Sequence, residues 1–176
     1  MLKGHPIRQI AYVVDDIEAA ARRHHDLFGS GPFFVAEDIT VPVTHRGKEI
    51  EFSHKAAFGQ CGQTQIELMK PLTSGPSIIH DLYPDGSGKG GIHHMAIIVD
   101  DIDATISKAD AEGFPAVLRA YMAEMDMKTA FLDSVTTYGH FIELYETCPS
   151  ILDFYDMIEK AAEGFDGTSL FRELSF

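Results

Sequence analysis

A repeat inside the chain restricts its fold more than any other feature. The run Ile7-Arg8-Gln9-Ile10-Ala11-Tyr12-Val13-Val14-Asp15-Asp16-Ile17 returns at position 92 as Ile92-His93-His94-Met95-Ala96-Ile97-Ile98-Val99-Asp100-Asp101-Ile102. A second run, Gln65-Ile66-Glu67-Leu68-Met69, returns as Phe141-Ile142-Glu143-Leu144-Tyr145. Each half therefore begins and ends alike, and the fold must be built from two copies of one unit. A chain of 176 residues can bury one good core but is short for two independent domains, so the halves must share theirs.

Each half opens with an Ile- and Val-rich run that reads as a β-strand, followed by Asp-Asp-Ile, which reads as a helix start. Asp15 or Asp16 can cap the free amides of the first turn, with Glu18 complementing the helix dipole. Ile17, Ala20, Ala21, His24 and Phe28 then fall at helical spacing until Gly29 to Pro32 break the pattern; Ile102, Ile106 and Ala109 repeat this before Gly113 and Pro115. Strand-like runs follow over 33–43, 49–59 and 63–70, and again over 115–122, 127–133 and 139–145. The expected class is α+β: tandem βαβββ modules forming a cupped mixed β-sheet with helices on its outer face. The modules are expected at 1–74 and 91–147, joined by a Gly-, Ser- and Pro-rich linker at 75–90. Residues 148–176 form a C-terminal helix and tail, with Ile151, Phe154, Tyr155 and Ile158 at helical spacing. That stripe, with Phe165, Leu170, Phe171, Leu174 and Phe176 after it, demands burial against the chain's own sheet or a second copy. We expect a homodimer.

Alternation along the terminal strands sorts their residues onto two faces. One face holds Ile10, Tyr12, Val14, Ile66, Leu68, Met95, Ile97, Val99, Ile142 and Leu144, all apolar, as a helix-covered surface requires. The other holds Gln9, Ala11 and Val13; Gln65, Glu67 and Met69; His94, Ala96 and Ile98; Phe141, Glu143 and Tyr145. On this face two carboxylates, an imidazole and an amide occupy equivalent slots of the two halves, a convergent set of metal-ligand types. Gln9, Glu67, His94 and Glu143 are the candidate ligands, and Ala11, Gln65, Met69, Phe141 and Tyr145 the candidate pocket. The alternation places His93 and His140 on the opposite face, His24 and His25 on a helix, and His5, His45, His54 and His80 in core or surface roles.

Charge and cysteine usage narrow the partners. A formal net charge of −13, from 27 acidic and 14 basic residues, opposes binding to nucleic acid or an anionic membrane. No stretch has membrane-spanning length, and Met1 to Pro6 lacks the apolar run of a secretion signal, so a cytoplasmic location is expected. Cys61 and Cys148 lack metal-ligand spacing and are expected as reduced thiols. A small molecule is the expected ligand.

The paired motifs, Ile92-His93-His94-Met95-Ala96 with Val99-Asp100-Asp101-Ile102 and the closing Phe141-Ile142-Glu143-Leu144-Tyr145, resemble the vicinal oxygen chelate superfamily over residues 7–147. That superfamily includes glyoxalase I, methylmalonyl-CoA epimerase, extradiol dioxygenases and bleomycin resistance proteins. The resemblance implies a divalent ion (Zn, Ni, Co, Mn or Fe) held by Gln9, Glu67, His94 and Glu143, with the substrate reacting through a metal-chelated enediolate. It implies Glu143 as the first choice of base and Glu67 as the second, in lyase, isomerase or epimerase chemistry on a small oxygenated carbon acid. The ligand types match glyoxalase I, but Val13, Pro71 and Gly90 stand where its glutathione-holding side chains would be. The long second-half opening is similar to that of the epimerases, and Gln9 replaces the first histidine of the dioxygenase triad. The alternative is a metal-free binding or sequestering protein of the bleomycin-resistance type, its pocket lined by Met69, Phe141, Tyr145 and the methionines Met122, Met125 and Met127.

Overall fold

The computed structural model describes residues 2–174. The first half runs β1 (Gln9–Val13), α1 (Ile17–Phe28), β2 (Phe33–His45), β3 (Lys48–Cys61) and β4 (Thr64–Pro71). A short helix, α2 (Ile78–Leu82), lies between the halves. The second half runs β5 (Gly91–Val99), α3 (Ile102–Ala111), β6 (Ala116–Met122), β7 (Met127–Leu132), the single-turn α4 (Val135–Tyr138) and β8 (Phe141–Glu146). A 3₁₀ turn at Ala123–Met125 joins β6 to β7, and α5 (Pro149–Ala162) and β9 (Phe171–Glu173) complete the chain. The βαβββ order is thus present twice, as the repeat requires. Both helix starts are capped as expected: Ala19 N donates to Asp16 Oδ1 at 2.9 Å and Ala104 N to Asp101 Oδ1 at 2.8 Å.

The nine strands among the described residues belong to one sheet, in the order β3-β4-β1-β5-β8-β7-β6-β2-β9, and β2 also pairs with β3. Eight strands therefore close into a ring. The halves meet in the middle where β1 and β5 run antiparallel. They meet again at a narrow seam, where Thr44 pairs with Arg119 and His45 with Leu118. The seam is braced from α2, whose Asp81 Oδ2 lies 2.9 Å from His45 Nε2 and accepts from Arg46 Nε at 2.7 Å.

The two faces are those read from the alternation. Outside, α1 packs Ile17 and Ala21 on Ile66 and Leu68, with Ile10, Tyr12 and Val14 beside them. In the second half α3 packs Ile102, Ile106 and Ala109 on Ile97, Val99 and Leu144. Inside, Ala11, Val13, Met69 and Phe141 share a cluster with Phe52, Leu118 and Phe131. Ile78 and Ile79 of α2 join this inner cluster and are fully buried, so the segment expected as a linker plugs one end of the ring.

The tail packs on its own chain. Ile151, Tyr155 and Ile158 of α5 are buried, Phe154 meets Phe58 edge-on at 5.0 Å between ring centroids, and Ile158 packs with Ala56 and Phe58 of β3. Leu170 and Phe171 join the α1 side of the sheet and Leu174 the α5 side, while β9 adds a parallel strand to β2. The apolar stripe that suggested a dimer is thus satisfied within one chain and is no longer an argument for a second. Phe176, counted with that stripe, lies outside the described residues. No helix among the described residues is long and apolar enough to cross a membrane.

Candidate active site

Register sets the site. On the inner face Glu67 of β4, Ala11 of β1, His94 of β5 and Phe141 of β8 stand in one row across four adjacent strands. The neighbouring row is Gln65, Gln9, Ala96 and Glu143. Two alanines, Ala11 and Ala96, thus occupy the centre, and their small side chains leave room for the four polar ones around them to lean together. Both alanines are fully buried. The arrangement has a local pseudo-twofold relation, Gln9 with His94 and Glu67 with Glu143, that follows directly from the repeat.

The four candidate ligands converge on one atom. His94 Nε2 lies 3.0 Å from Glu143 Oε2, 3.4 Å from Glu67 Oε2 and 3.3 Å from Gln9 Oε1. Gln9 is turned this way because its amide nitrogen donates to Gln65 Oε1. Thr129 Oγ1 on β7 lies 3.0 Å from both Glu143 Oε1, to which it donates, and the Leu144 carbonyl. Glu143 Oε2 is buried and has no aligned donor; its 3.0 Å approach to His94 is an ion pair rather than a well-directed hydrogen bond. All four residues are at least 95% buried.

Burial and charge act against each other here. Burial alone would strip His94 of its proton, but the Glu143 and Glu67 carboxylates outweigh it and raise the imidazole to about 9. Burial raises Glu67 above the usual carboxylate range, its contacts with His94 notwithstanding. In the metal-free protein a proton on His94 therefore supplies the positive charge that two buried carboxylates require.

These donors fit a divalent ion. With ligand bonds of ~2.1 Å, adjacent ligands of an ion stand ~3 Å apart, and the three separations from His94 Nε2 are of that size. Glu143 Oε2 has no well-directed donor, and the nearest positive charge to it is His94 at 3.0 Å. Among the described residues no group of three or more His, Cys, Asp or Glu side chains is placed so that it could hold a metal ion as it stands. The carboxylates are spaced for a proton and would have to draw in around an ion.

A cavity of about 280 Å³ opens beside this cluster, with Glu67, His94, Glu143 and Thr129 on its polar wall. Its other walls are mostly apolar, from Val43, Phe52, Leu118 and Phe131 to the methionines Met69, Met122, Met125 and Met127, with Asp38, Thr40 and Glu124 among them, and Ile151 and Phe154 of α5 cover it. Of the candidate pocket residues, Met69 and Tyr145 line the cavity. Ala11, Gln65 and Phe141 do not; they are buried behind it. Gln65 instead orients Gln9, and its own amide nitrogen has no partner.

Two histidines depart from the sequence reading. His54 of β3, given a core or surface role, lines the cavity with Nε2 3.9 Å from Glu67 Oε1 and its ring stacked on Phe52 at 4.5 Å. Burial, and then the His94 charge, depress it to about 3, so it is neutral. His93, expected on the outer face, is fully buried on the inner side, in ring contact with Phe131 and Phe141. The cause is an irregularity in the β1–β5 ladder: Ala11 pairs with His94 but Tyr12 with Ile92, leaving His93 as the extra residue. No sequence signal marks that bulge, but the adjacent Gly90-Gly91 is the kind of pair at which one occurs.

A ring of paired βαβββ units, with two donors from each unit meeting over the central strands, is the architecture of a vicinal oxygen chelate protein. Sequence comparison agrees. The family profile described as Glyoxalase/Bleomycin resistance protein/Dioxygenase superfamily matches residues 8–131, and the chain belongs to that superfamily. It is 30% identical over 100 residues to the mitochondrial methylmalonyl-CoA epimerase of Mus musculus, covering 57% of this chain and 49% of that protein. The Homo sapiens enzyme is 29% identical over the same length. The chain spans about half the length of these curated relatives. Among solved structures, methylmalonyl-CoA epimerase from Mycobacterium tuberculosis superposes with a TM-score of 0.53 at 23% identity, over 83% of this chain and 90% of that one. A hypothetical protein from Bacillus halodurans C-125 gives 0.55 at 22%, over 83% and 96%. A methylmalonyl-CoA epimerase in complex with methylmalonyl-CoA and NH4+ gives 0.57 at 18%, again over 83% and 96%.

Proposed function

We propose that this protein is a divalent-metal-dependent isomerase of the epimerase type, acting on a small oxygenated carbon acid. One observation carries the reading: the carboxylates of Glu67 and Glu143, one from each half, flank His94 Nε2 at 3.4 and 3.0 Å on the polar wall of a cavity. Gln9, Glu67, His94 and Glu143 would hold the ion. When bound, it supplies the Lewis acidity that makes a C–H beside a carbonyl acidic enough for a carboxylate to remove.

The chain's own groups do the rest. Epimerisation takes a proton from one face of a carbon and returns one to the other, so it needs two acid–base groups. Glu143 is the first: Thr129 holds one oxygen, and the other has no aligned donor. As the C–H bond breaks, its proton goes to Glu143 and its electron pair moves into the carbonyl. Glu67, which faces it across His94 from the other half, is the second and would return a proton to the opposite face. Neutral His54, on the same wall, can hydrogen-bond a substrate oxygen. The apolar walls under α5 keep bulk water from quenching the carbanion. That the curated relatives are epimerases favours isomerisation over lyase chemistry.

Substrate size is limited by the cavity. Among the residues lining it there is no Lys or Arg, so the phosphates of a CoA thioester would have to lie outside, with only the acyl group within. The test is metal analysis after reconstitution, followed by proton NMR of α-hydrogen washout in D2O. Methylmalonyl-CoA would be compared with uncharged α-hydroxy ketones. A stoichiometric ion with washout in either class is the expected result. No ion and no exchange would favour the second reading, a metal-free binder, which the four methionines of the cavity wall support.

A further inference from the structure

We infer that His93 is a positioning residue that holds a proton on His94 Nδ1, so that Nε2 is the atom His94 presents to Gln9, Glu67 and Glu143. The inference deepens the metal-dependent reading and rests on it for its purpose, but its geometry stands separately. His93 Nε2 lies 3.1 Å from the carbonyl oxygen of Ile78, on α2. His93 Nδ1 lies 2.9 Å from His94 Nδ1. Both residues are buried.

With His93 uncharged, only one placement of protons satisfies this chain. A carbonyl oxygen cannot donate, so His93 Nε2 carries the hydrogen. With one proton on a neutral ring, His93 Nδ1 is a lone pair, and the facing His94 Nδ1 must be the donor. The only nitrogen of the pair not fixed by the chain is His94 Nε2. A backbone carbonyl on the plug helix thus dictates, through His93, which nitrogen of His94 faces the site. A ligand histidine's other nitrogen commonly rests on a carboxylate or carbonyl; here a second imidazole lies between.

Two replacements separate this role from packing. His93→Gln keeps an acceptor for His94 Nδ1 and a donor for Ile78 but loses the ring. His93→Phe keeps a ring against Phe131 and Phe141 but loses both hydrogen bonds. Co²⁺ titration of the full chain should show His93→Phe binding ~10–100-fold more weakly than wild type, the range for loss of a ligand's supporting partner, and His93→Gln within about threefold. Phenylalanine binding like wild type, or glutamine no better than phenylalanine, would overturn the inference. The second measurement is imidazole ¹⁵N NMR of the metal-free wild type at neutral pH, where His93 should be neutral with its proton on Nε2. A proton on His93 Nδ1, or a His93 cation, would overturn it even if neither variant folds. A wild type that binds no Co²⁺ removes the metal reading, and the ¹⁵N result then decides the proton placement alone.

Discussion

Raising the pH of the metal-free protein should remove a measurable part of its stability through His94. The folded imidazole sits at about 9, against ~6.5 in an unfolded chain. A folded value above the unfolded one means that the native state binds the proton more tightly. The stabilisation is therefore complete below ~6.5 and disappears as pH rises through ~9. A gap of this size corresponds to about 3 kcal/mol, of which about 2–3 kcal/mol should go between pH 7 and pH 10. Full burial of the ring means that solvent screening does not discount it. Urea unfolding in chelator at half-unit pH steps would measure the loss, and the His94 ring carbon shift in NMR would locate its midpoint. A flat stability profile from pH 7 to 10, or His94 titrating near 6.5, would refute the argument that two buried carboxylates hold this proton. Stability rising over that range would refute its sign.

Two further substitutions test the packing. Ile158→Ala on α5, where the side chain is fully buried against Ala56 and Phe58, should cost ~2–5 kcal/mol by urea unfolding, independent of protein concentration; a concentration-dependent loss would mean that the stripe packs on a second copy instead. Gly90→Ala should cost ~1–3 kcal/mol by overpacking, because a Cβ there would lie 2.3 Å from the backbone oxygen of Val13; a variant as stable as wild type would show that the two segments can part.

The same clash gives a reason for one departure from glyoxalase I. Position 90 cannot carry a side chain while Val13 approaches so closely, so a glutathione-holding group there is closed to this backbone.

Much of the architecture was legible because strand alternation is a strict rule where one face is covered by a helix. It brought Gln9, Glu67, His94 and Glu143 to one face without any knowledge of the turns between them. The same rule misplaced His93, since a bulge shifts the register by one residue and leaves no trace in a period-two pattern. For His54 a signal was present: Ile50, Phe52 and His54 alternate with Glu51, Ser53 and Lys55, which sets the imidazole on the apolar face, whereas from Ala56 onward both faces of β3 are buried and the alternation is lost. Ile78 and Ile79 lie in a stretch whose Gly, Ser and Pro content reads as linker; only tertiary packing shows that a single helical turn fills the ring's interior. The seam of β2 with β6 spans two residue pairs and has no sequence signature.

The helix after each half occupies a corresponding place in the chain: Ile78 follows Glu67, and Phe154 follows Glu143, by the same interval. One is five residues long and the other 14. Each half of the ring is thus followed by a helix that closes onto it, and the difference between the two gives the barrel polarity. The short one is sunk among the inner side chains and bears on His93, while the long one lies over the cavity on contacts with β3 and β4. The covering helix can therefore be changed to admit different ligands without disturbing the buried turn on which His93 rests.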